Sequence, residues 1–493
     1  MIPEEIARRE RLQALRDAGV DPYPIGSNRD RLIEDVLNHF DDLEKSQERI
    51  VIAGRIRAIR KHGGVSFVVI EDASSKMQAM LHRDTVGLES YTNFHAQMDV
   101  GDILEVHGPV VKTKKGERSV AVDEWRLLTK SLLPLPEKWH GLSDVETRFR
   151  KRELDLISNP QVRHIFEQRA RLMRAMRNFY EEEGFMEIET PILQPQAGGA
   201  EAKPFVTHHN ALDMDLYLRI APELFLKRCV VGGFEKVFEI ARCFRNEGIS
   251  FQHNPEFTQV ECYWAYADRQ QMIEHIERLL ETIVKALFDG ATSVINNGEA
   301  LSFKAPLPRL EYYDLIQKET GIDLSVVNTE PTLRAEMIKL GLKVDGIAGF
   351  GMLADELWKK KARPKIVQPT FVVGYPAAAK PLAKRSSEHP ERSSNVQLLV
   401  KGMELMNGFD ELNDPLEQEE RFKEQEALRE RGSEEAHRTD QEYLDALKVG
   451  LPPSAGYGIG IDRLCTILLD VHNIKEVILF PTLRPKSEDH DGE

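Results

Sequence analysis

Residues 238–261, Phe-Glu-Ile-Ala-Arg-Cys-Phe-Arg-Asn-Glu-Gly-Ile-Ser-Phe-Gln-His-Asn-Pro-Glu-Phe-Thr-Gln-Val-Glu, carry the densest chemistry in the chain. Two strand-like halves flank a polar loop that holds Arg245, Glu247 and His253. A guanidinium suits phosphate, a carboxylate suits the amine of a base, and an aromatic ring gives a stacking face, so this loop could meet a nucleotide. A hairpin with a solvated charged tip has the same composition. A second stretch, Gly456-Tyr-Gly-Ile-Gly-Ile-Asp-Arg463, is glycine-rich but lacks dinucleotide-binding spacing, and alone it reads as a tight strand-to-helix packing turn. The chain has no G-x-x-x-x-G-K-[ST] phosphate loop, no G-x-G-x-x-G after a strand and no H-E-x-x-H.

These residues must be positioned by a chain of 493 residues, too long for one hydrophobic core, so two or three domains are expected. Apolar residues at 41 % and charged residues at 30 % exclude a long disordered protein. The net charge of −15 excludes a uniformly basic nucleic-acid coat. The charge is uneven, however. Residues 49–130 hold 13 basic against 10 acidic side chains, or +3, which leaves −18 for the remainder (53 against 71). Contact with nucleic acid should therefore lean on the N-terminal third. Cys229, Cys243, Cys262 and Cys465 form no C-x-x-C pair, which argues against a zinc site or a disulfide scaffold and fits a reducing cytoplasm. The charged start lacks the apolar segment of a signal peptide, and no run approaches the roughly 20 apolar residues of a membrane span. A cytoplasmic protein without membrane contact is the expectation.

Residues 4–18, with Ile6, Leu12 and Leu15 among dense charge, predict an exposed amphipathic helix stopped by Asp21-Pro-Tyr-Pro. Five short β-rich runs follow: Ile50–Ile56, Val65–Ile70, Met77–Leu81, Ile103–Val111 and Ser119–Val122. Turn signals punctuate them, which fits a five-stranded barrel of the oligonucleotide-binding (OB) type or another small β-domain. Leu132-Leu-Pro-Leu-Pro-Glu-Lys-Trp-His-Gly reads as a proline-stiffened linker. A helix is expected over Arg163–Gly184. Strand-like runs near 217–220, 236–240, 258–266, 370–373 and 397–400 then interleave irregularly with helical stretches at 269–288, 332–340 and 415–430. That pattern predicts an α+β domain on a mostly antiparallel sheet. The boundaries expected are a helical extension at 1–48, the OB-type domain at 49–135, a linker at 136–155, the larger domain at 156–486 and a disordered tail at 487–493.

Three stretches in order resemble the motifs of class II aminoacyl-tRNA synthetases. Gly184-Phe-Met-Glu-Ile-Glu-Thr-Pro191 resembles motif 1, and Phe-Arg-Asn-Glu-Gly (244–248) with His-Asn-Pro-Glu-Phe-Thr (253–258) resembles motif 2. Gly456 to Arg463 resembles motif 3. Five further stretches narrow the resemblance to the class II lysyl-tRNA synthetases, over about residues 50 to 485. They are Pro204-Phe-Val-Thr-His-His-Asn-Ala-Leu, Arg219-Ile-Ala-Pro-Glu-Leu, Gln368-Pro-Thr-Phe, Asn407-Gly-Phe-Asp-Glu-Leu-Asn-Asp and Leu451-Pro-Pro-Ser-Ala-Gly.

The resemblance implies ATP-dependent attachment of L-lysine to tRNA(Lys) through a lysyl-adenylate, with Arg245, Glu404 and Arg463 as catalytic residues. It implies that Gly199 and Glu261 hold the α-amino group, Arg245 and Asn407 the carboxylate, and Glu223, Glu411 and Tyr263 the ε-ammonium. Converging buried carboxylates are costly unless a cation joins them, so such a pocket selects a positively charged side chain. Taken alone, Glu223 or Glu411 would read as an ordinary surface carboxylate. For ATP it implies adenine between Phe257 and Arg463, Glu247 at the adenine amine, Arg245 at the α-phosphate, His253 toward the pyrophosphate, and Mg²⁺ on Glu404. It also implies an anticodon surface at Arg60, Phe67, Gln78 and Glu117, and a homodimer through the Pro191 region.

This sequence departs from the family pattern at three places. Gly63-Gly64 stands for Gly-Lys, Gln252 for an arginine, and Gln397 for a second Mg²⁺-binding glutamate beside Glu404. Aspartyl- and asparaginyl-tRNA synthetases share the three motifs but need a basic pocket. A protein-modifying lysyl transferase lacks the anticodon barrel. An inactive tRNA-binding relative has no need of Arg245, Glu404 and Arg463.

Overall fold

Along the Val65–Glu71 strand, Ser66, Val68 and Ile70 are buried while Phe67 and Val69 lie half-buried on the opposite face, the period-2 signature of a strand with one face on a core. The computed structural model describes residues 2–136, 142–200, 202–431 and 438–485, in two units, 1–143 and 144–493. In the first, a seven-stranded sheet runs in the order Val110–Lys112, Arg118–Val122, Lys76–His82, Val65–Glu71, Ile50–His62, Ile103–Gly108, Glu124–Thr129. The expected run 103–111 is broken at Gly108-Pro109, because proline cannot donate to the ladder. Its first half pairs with Ile50–Arg55, and its second half turns to pair with Arg118–Val120. The bend requires glycine: at φ +151 a Cβ on Gly108 would lie 1.9 Å from the Ala121 carbonyl oxygen. Glu124–Thr129 is a further edge strand that its mixed charged and apolar residues did not announce.

The core of this unit joins strand residues such as Ile52, Val68, Ala79 and Val106 to Phe94 from the Leu88–Gln97 helix. The Pro3–Asp17 helix is less exposed than expected. Leu12 and Leu15 are buried, and the buried Arg8 donates to the Val100 carbonyl at 3.1 Å. Part of the expected linker, 137–141, and the expected tail, 487–493, lie outside the described residues. Within the second unit, residues 145–150 and 152–158 form helices.

The second unit is built on an eight-stranded sheet. Its order is Arg309–Glu311, Thr370–Val373, Asn395–Val400, Met403–Asp410, Ser454–Gly460, Glu256–Ala265, Lys236–Phe244, Met186–Glu187. Only the two edge pairings are parallel, so the mostly antiparallel α+β expectation describes it. One face packs on the Pro160–Glu182 and Arg269–Leu287 helices through Tyr180, Phe238, Val260, Cys262, Met272 and Leu279. Alternation sends Val237, Tyr263 and Phe409 to the other face, against Leu226 and Tyr443 from the Glu223–Val231 and Gln441–Gly450 helices. The Ser454–Gly460 strand, read from sequence as a turn, is a central strand, and the turn falls at its end, where the Ile461–Leu468 helix begins.

Candidate active site

Register across three central strands assembles the site. Gly458 lies between Asn407 and Glu261, and Gly456 between Phe409 and Tyr263. The two glycines leave an open floor, walled by Asn407 and Phe409 on one side and by Glu261 and Tyr263 on the other. A bulge completes the set. Leu398 pairs with Met406 but Leu399 with Glu404, so Leu405 is an extra residue. Glu404 and Asn407, three apart, would face opposite sides of a regular strand, and the bulge brings both to the same cavity.

Gly199, Glu223, Arg245, Glu247, His253, Phe257, Glu261, Tyr263, Glu404, Asn407 and Arg463 all line this cavity. Glu261 is held at both oxygens, accepting from Gln259 Nε2 at 2.7 Å and from the Tyr263 hydroxyl at 3.0 Å. Gly199 leaves room for Glu223, since a Cβ there would come within 2.9 Å of the glutamate Cβ. The Arg245 guanidinium lies 5.0 Å from the Phe257 ring centre. Arg463 donates to the Glu404 carbonyl at 3.1 Å and to His253 Nε2 at 3.0 Å. Partial burial, then the charges of Arg463 and Arg245, pushes His253 down to about 4. The imidazole is neutral, accepts at Nε2 and carries its proton on Nδ1, 2.9 Å from the Ser250 hydroxyl.

Two expected residues stand behind the wall. Glu411 is 1 % exposed; its Oε1 has no hydrogen-bond partner among the described residues, and its Oε2 meets the Lys227 ammonium at 2.5 Å. Gln397 is buried with its amide committed: the Tyr375 hydroxyl donates to its Oε1 at 2.6 Å, and its Nε2 donates to Asn407 Oδ1 at 3.3 Å. Among the described residues no group of three or more His, Cys, Asp or Glu could by itself cage a metal ion. Glu404 lines the cavity, and its carboxylate makes no hydrogen bond or ion pair among those residues. A single divalent cation shared between Glu404 and a polyphosphate fits this donor set, whereas a protein-only cage does not.

Lys227 is the residue that sequence reading missed. It lies four residues after Glu223 on one helix, a spacing that signals an ordinary surface ion pair. Instead it is 1 % exposed, with Nζ 2.5 Å from Glu223 Oε1 and 2.5 Å from Glu411 Oε2. Burial would lower its pKa, but Glu223 and Glu411 outweigh that and hold the ammonium well above the lysine range. Burial pushes Glu411 up to about 8 against the opposing pull of Lys227. Burial and the charge of Glu223 take Glu261 to about 8 as well.

In the first unit, Arg60 pairs with Phe67 across the ladder and Val69 pairs with Gln78, which places Arg60, Phe67 and Gln78 on the sheet face away from the core. Arg60 donates to Gln78 Oε1 at 3.3 Å, and Gln78 donates to the Ser119 hydroxyl at 2.8 Å. Glu117 is exposed at the turn before the Arg118–Val122 strand.

Comparison with known proteins matches residues 144–484 to the family of class II tRNA synthetases (D, K and N) and residues 50–128 to the OB-fold nucleic acid binding domain. The lysine--tRNA ligase of Pelotomaculum thermopropionicum is 46 % identical over 482 residues, covering 97 % of this chain and 94 % of that protein. The lysine--tRNA ligase of Moorella thermoacetica is 46 % identical over 98 % of both chains, and that of Roseiflexus castenholzii 47 % identical over 97 % of this chain and 98 % of its own.

Proposed function

The chain belongs to the class II tRNA synthetases (D, K and N), among the lysine--tRNA ligases, and from that premise we propose that it activates L-lysine with ATP and transfers it to tRNA(Lys). One observation carries the choice of amino acid. Glu223, Glu261 and Glu411 are all buried around one end of the cavity, and among the described residues Lys227 is the one cation paired with Glu223 and Glu411. An aspartate side chain would add a further negative charge to that cluster. Lysine brings an ε-ammonium for Glu223, with Glu411 behind it, and an α-ammonium for Glu261 beside Gly199.

The substrate carboxylate faces Asn407 and Arg245. ATP lies over Phe257 toward Arg463, with Glu247 at its amine and His253 toward its pyrophosphate end. A carboxylate oxygen of lysine attacks the α-phosphorus, the bond to the β-phosphate oxygen breaks, and pyrophosphate leaves with that electron pair. Arg245 and Arg463 offset the charge that spreads over the phosphoryl oxygens, so catalysis is mainly alignment and electrostatics. Glu404 is the residue to hold Mg²⁺ against the phosphates, where the ion supplies Lewis-acid charge neutralisation. The terminal adenosine hydroxyl of the tRNA then attacks the acyl carbon and AMP departs.

Arg60, Phe67, Gln78 and Glu117 form the anticodon surface, with Phe67 as the stacking platform. Met186, Ile192 and Leu193 are exposed apolar side chains around Pro191 and supply a homodimer surface. No helix among the described residues is long and apolar enough to cross a membrane, and a cytoplasmic location gives access to tRNA and ATP. ATP–pyrophosphate exchange across the twenty amino acids tests the reading. Lysine alone should support exchange, and stronger exchange with any other amino acid refutes it.

A further inference from the structure

Lys227 has no role in the scheme above beyond being present, yet its surroundings are those of a built site. Its ammonium lies 2.5 Å from Glu223 Oε1 on its own helix and 2.5 Å from Glu411 Oε2, just past the Met403–Asp410 strand. It sits 5.2 Å from the Phe409 ring centre, 5.7 Å from that of Tyr263 and 5.8 Å from that of Tyr443. Glu223, Glu411, Tyr443 and Tyr263 are the titratable groups facing it, and Glu261, bonded to Tyr263, lies near enough to feel its charge. We propose that Lys227 is a positioning residue that serves as the built-in counter-ion of the amino-acid pocket, fixing Glu223 and Glu411 and leaving a charge deficit that two substrate ammonium groups fill. The inference rests on the lysine-activating reading of the same site.

The charges balance on that account. Ionised, as in the lysine complex, Glu223, Glu261 and Glu411 contribute three negative charges, and Lys227 answers one. The α- and ε-ammonium groups of lysine answer the other two, and Arg245 is left for the substrate carboxylate. Glu411 is outside the cavity wall while Glu223 is part of it, so Lys227 is the link through which Glu411 orients the glutamate that meets substrate. With Lys227 absent, like charges would face each other in a buried space. The carboxyls, already raised in the intact pocket, would then hold their protons to still higher pH. Lysine would bind only by expelling protons held more tightly than in the parent.

Lys227→Met keeps the length and apolar stem but removes the charge. In pyrophosphate exchange at neutral pH, KM for lysine should rise on the order of ten- to a hundredfold, with KM for ATP within about twofold of the parent. The rise should shrink above about pH 8, where the parent's KM has levelled while the variant still releases a proton on binding, by up to roughly tenfold for each pH unit. Lys227→Arg should restore most of the loss. The double variant Lys227→Met, Glu411→Gln removes a charge of each sign and should recover lysine affinity relative to Lys227→Met alone, which a purely structural role does not predict. The double variant and Lys227→Arg also keep the test open should Lys227→Met fold poorly. If the parent activates another amino acid, the functional reading fails and the inference with it. If the parent activates lysine but Lys227→Met keeps the parental lysine KM and pH profile, or the double variant is no better than the single one, the inference alone is overturned.

Discussion

A Cβ on Gly456 would lie 2.6 Å from Glu411 Oε1, closer than any real contact of that kind, so the glycine is what admits the carboxylate to its place behind the pocket floor. The same Cβ would meet the Tyr263 ring at 2.4 Å. Gly456→Ala must therefore displace both Tyr263 and Glu411, which in the proposed reading lie beside and behind the site of the substrate ammonium. Overpacking of this kind costs about 1–3 kcal/mol. The expected result is a lowered Tm and a lysine KM raised on the order of tenfold or more, while KM for ATP, whose proposed place is further along the cleft, should change little. Thermal melts together with exchange kinetics check this, and a variant with parental lysine KM would show that Tyr263 and Glu411 do not shape the lysine site.

The acidic cluster also sets a pH dependence. Burial with the charge of Glu223 raises Glu261 to about 8, and burial raises Glu411 to about 8. Both are carboxyls whose folded values exceed their unfolded ones. Their stabilising contribution to the empty protein is complete below the ordinary carboxylate range and is lost as pH rises through about 8. Lysine binding runs the other way, since its ammonium groups favour the ionised carboxylates. KM for lysine should fall as pH rises from about 6 to about 8 and then level off. Lysine should likewise raise Tm more at the upper end of that range. A lysine KM flat across the range would mean that these carboxyls are already ionised in the empty pocket.

The two units should separate in function. Phe67 is half-buried on the face away from the core, beside Arg60 and Gln78. Phe67→Ala should remove one stacked base, worth about 1–3 kcal/mol, and lower tRNA charging accordingly. Pyrophosphate exchange without tRNA should match the parent. Equal losses in both assays would make Phe67 a structural residue of its sheet.

How much of this was legible in the sequence follows from what each feature depends on. Strands of the first unit declare themselves because alternation is local, as in Val65–Glu71. The break at Gly108-Pro109 is marked locally by the proline, but the need for glycine at 108 is set by the approach of Ala121 and has no local signature. Gly456 and Gly458 looked like a turn because their reason for being glycine is Tyr263 and Glu261 on the neighbouring strand. Glu404 and Asn407 could be named together only through resemblance, since the bulge at Leu405 that aligns them is a matter of register. Lys227 was hidden for the opposite reason. Its spacing from Glu223 matches a common surface pair, and only burial against Phe409, Tyr263 and Tyr443 distinguishes it.

Gln397 gives the last prediction. Resemblance alone makes it a weakened partner of Glu404 in holding Mg²⁺, so that Gln397→Glu should lower the Mg²⁺ requirement. Its hydrogen bonds favour another role. Oε1 receives the Tyr375 hydroxyl at 2.6 Å, and Nε2 donates to Asn407 Oδ1 at 3.3 Å, which turns the Asn407 amide so that its nitrogen is left for an acceptor. A second donor, Asn395 Nδ2, reaches the same oxygen at 3.4 Å. A substrate carboxylate is such an acceptor. Gln397→Glu would keep the Tyr375 bond but set a carboxylate oxygen against Asn407 Oδ1, and the cheapest response is for the Asn407 amide to flip, presenting oxygen to the substrate carboxylate. Losing one hydrogen bond to a charged group costs about 1.5–3 kcal/mol, so KM for lysine should rise on the order of ten- to a hundredfold. The Mg²⁺ concentration for half-maximal exchange at fixed ATP should stay within about twofold of the parent, because Glu404 and the phosphates are unchanged. Titrating Mg²⁺ and lysine separately against exchange rate distinguishes the two roles. A lower Mg²⁺ requirement with an unchanged lysine KM would return Gln397 to the metal site and remove it from the support of Asn407.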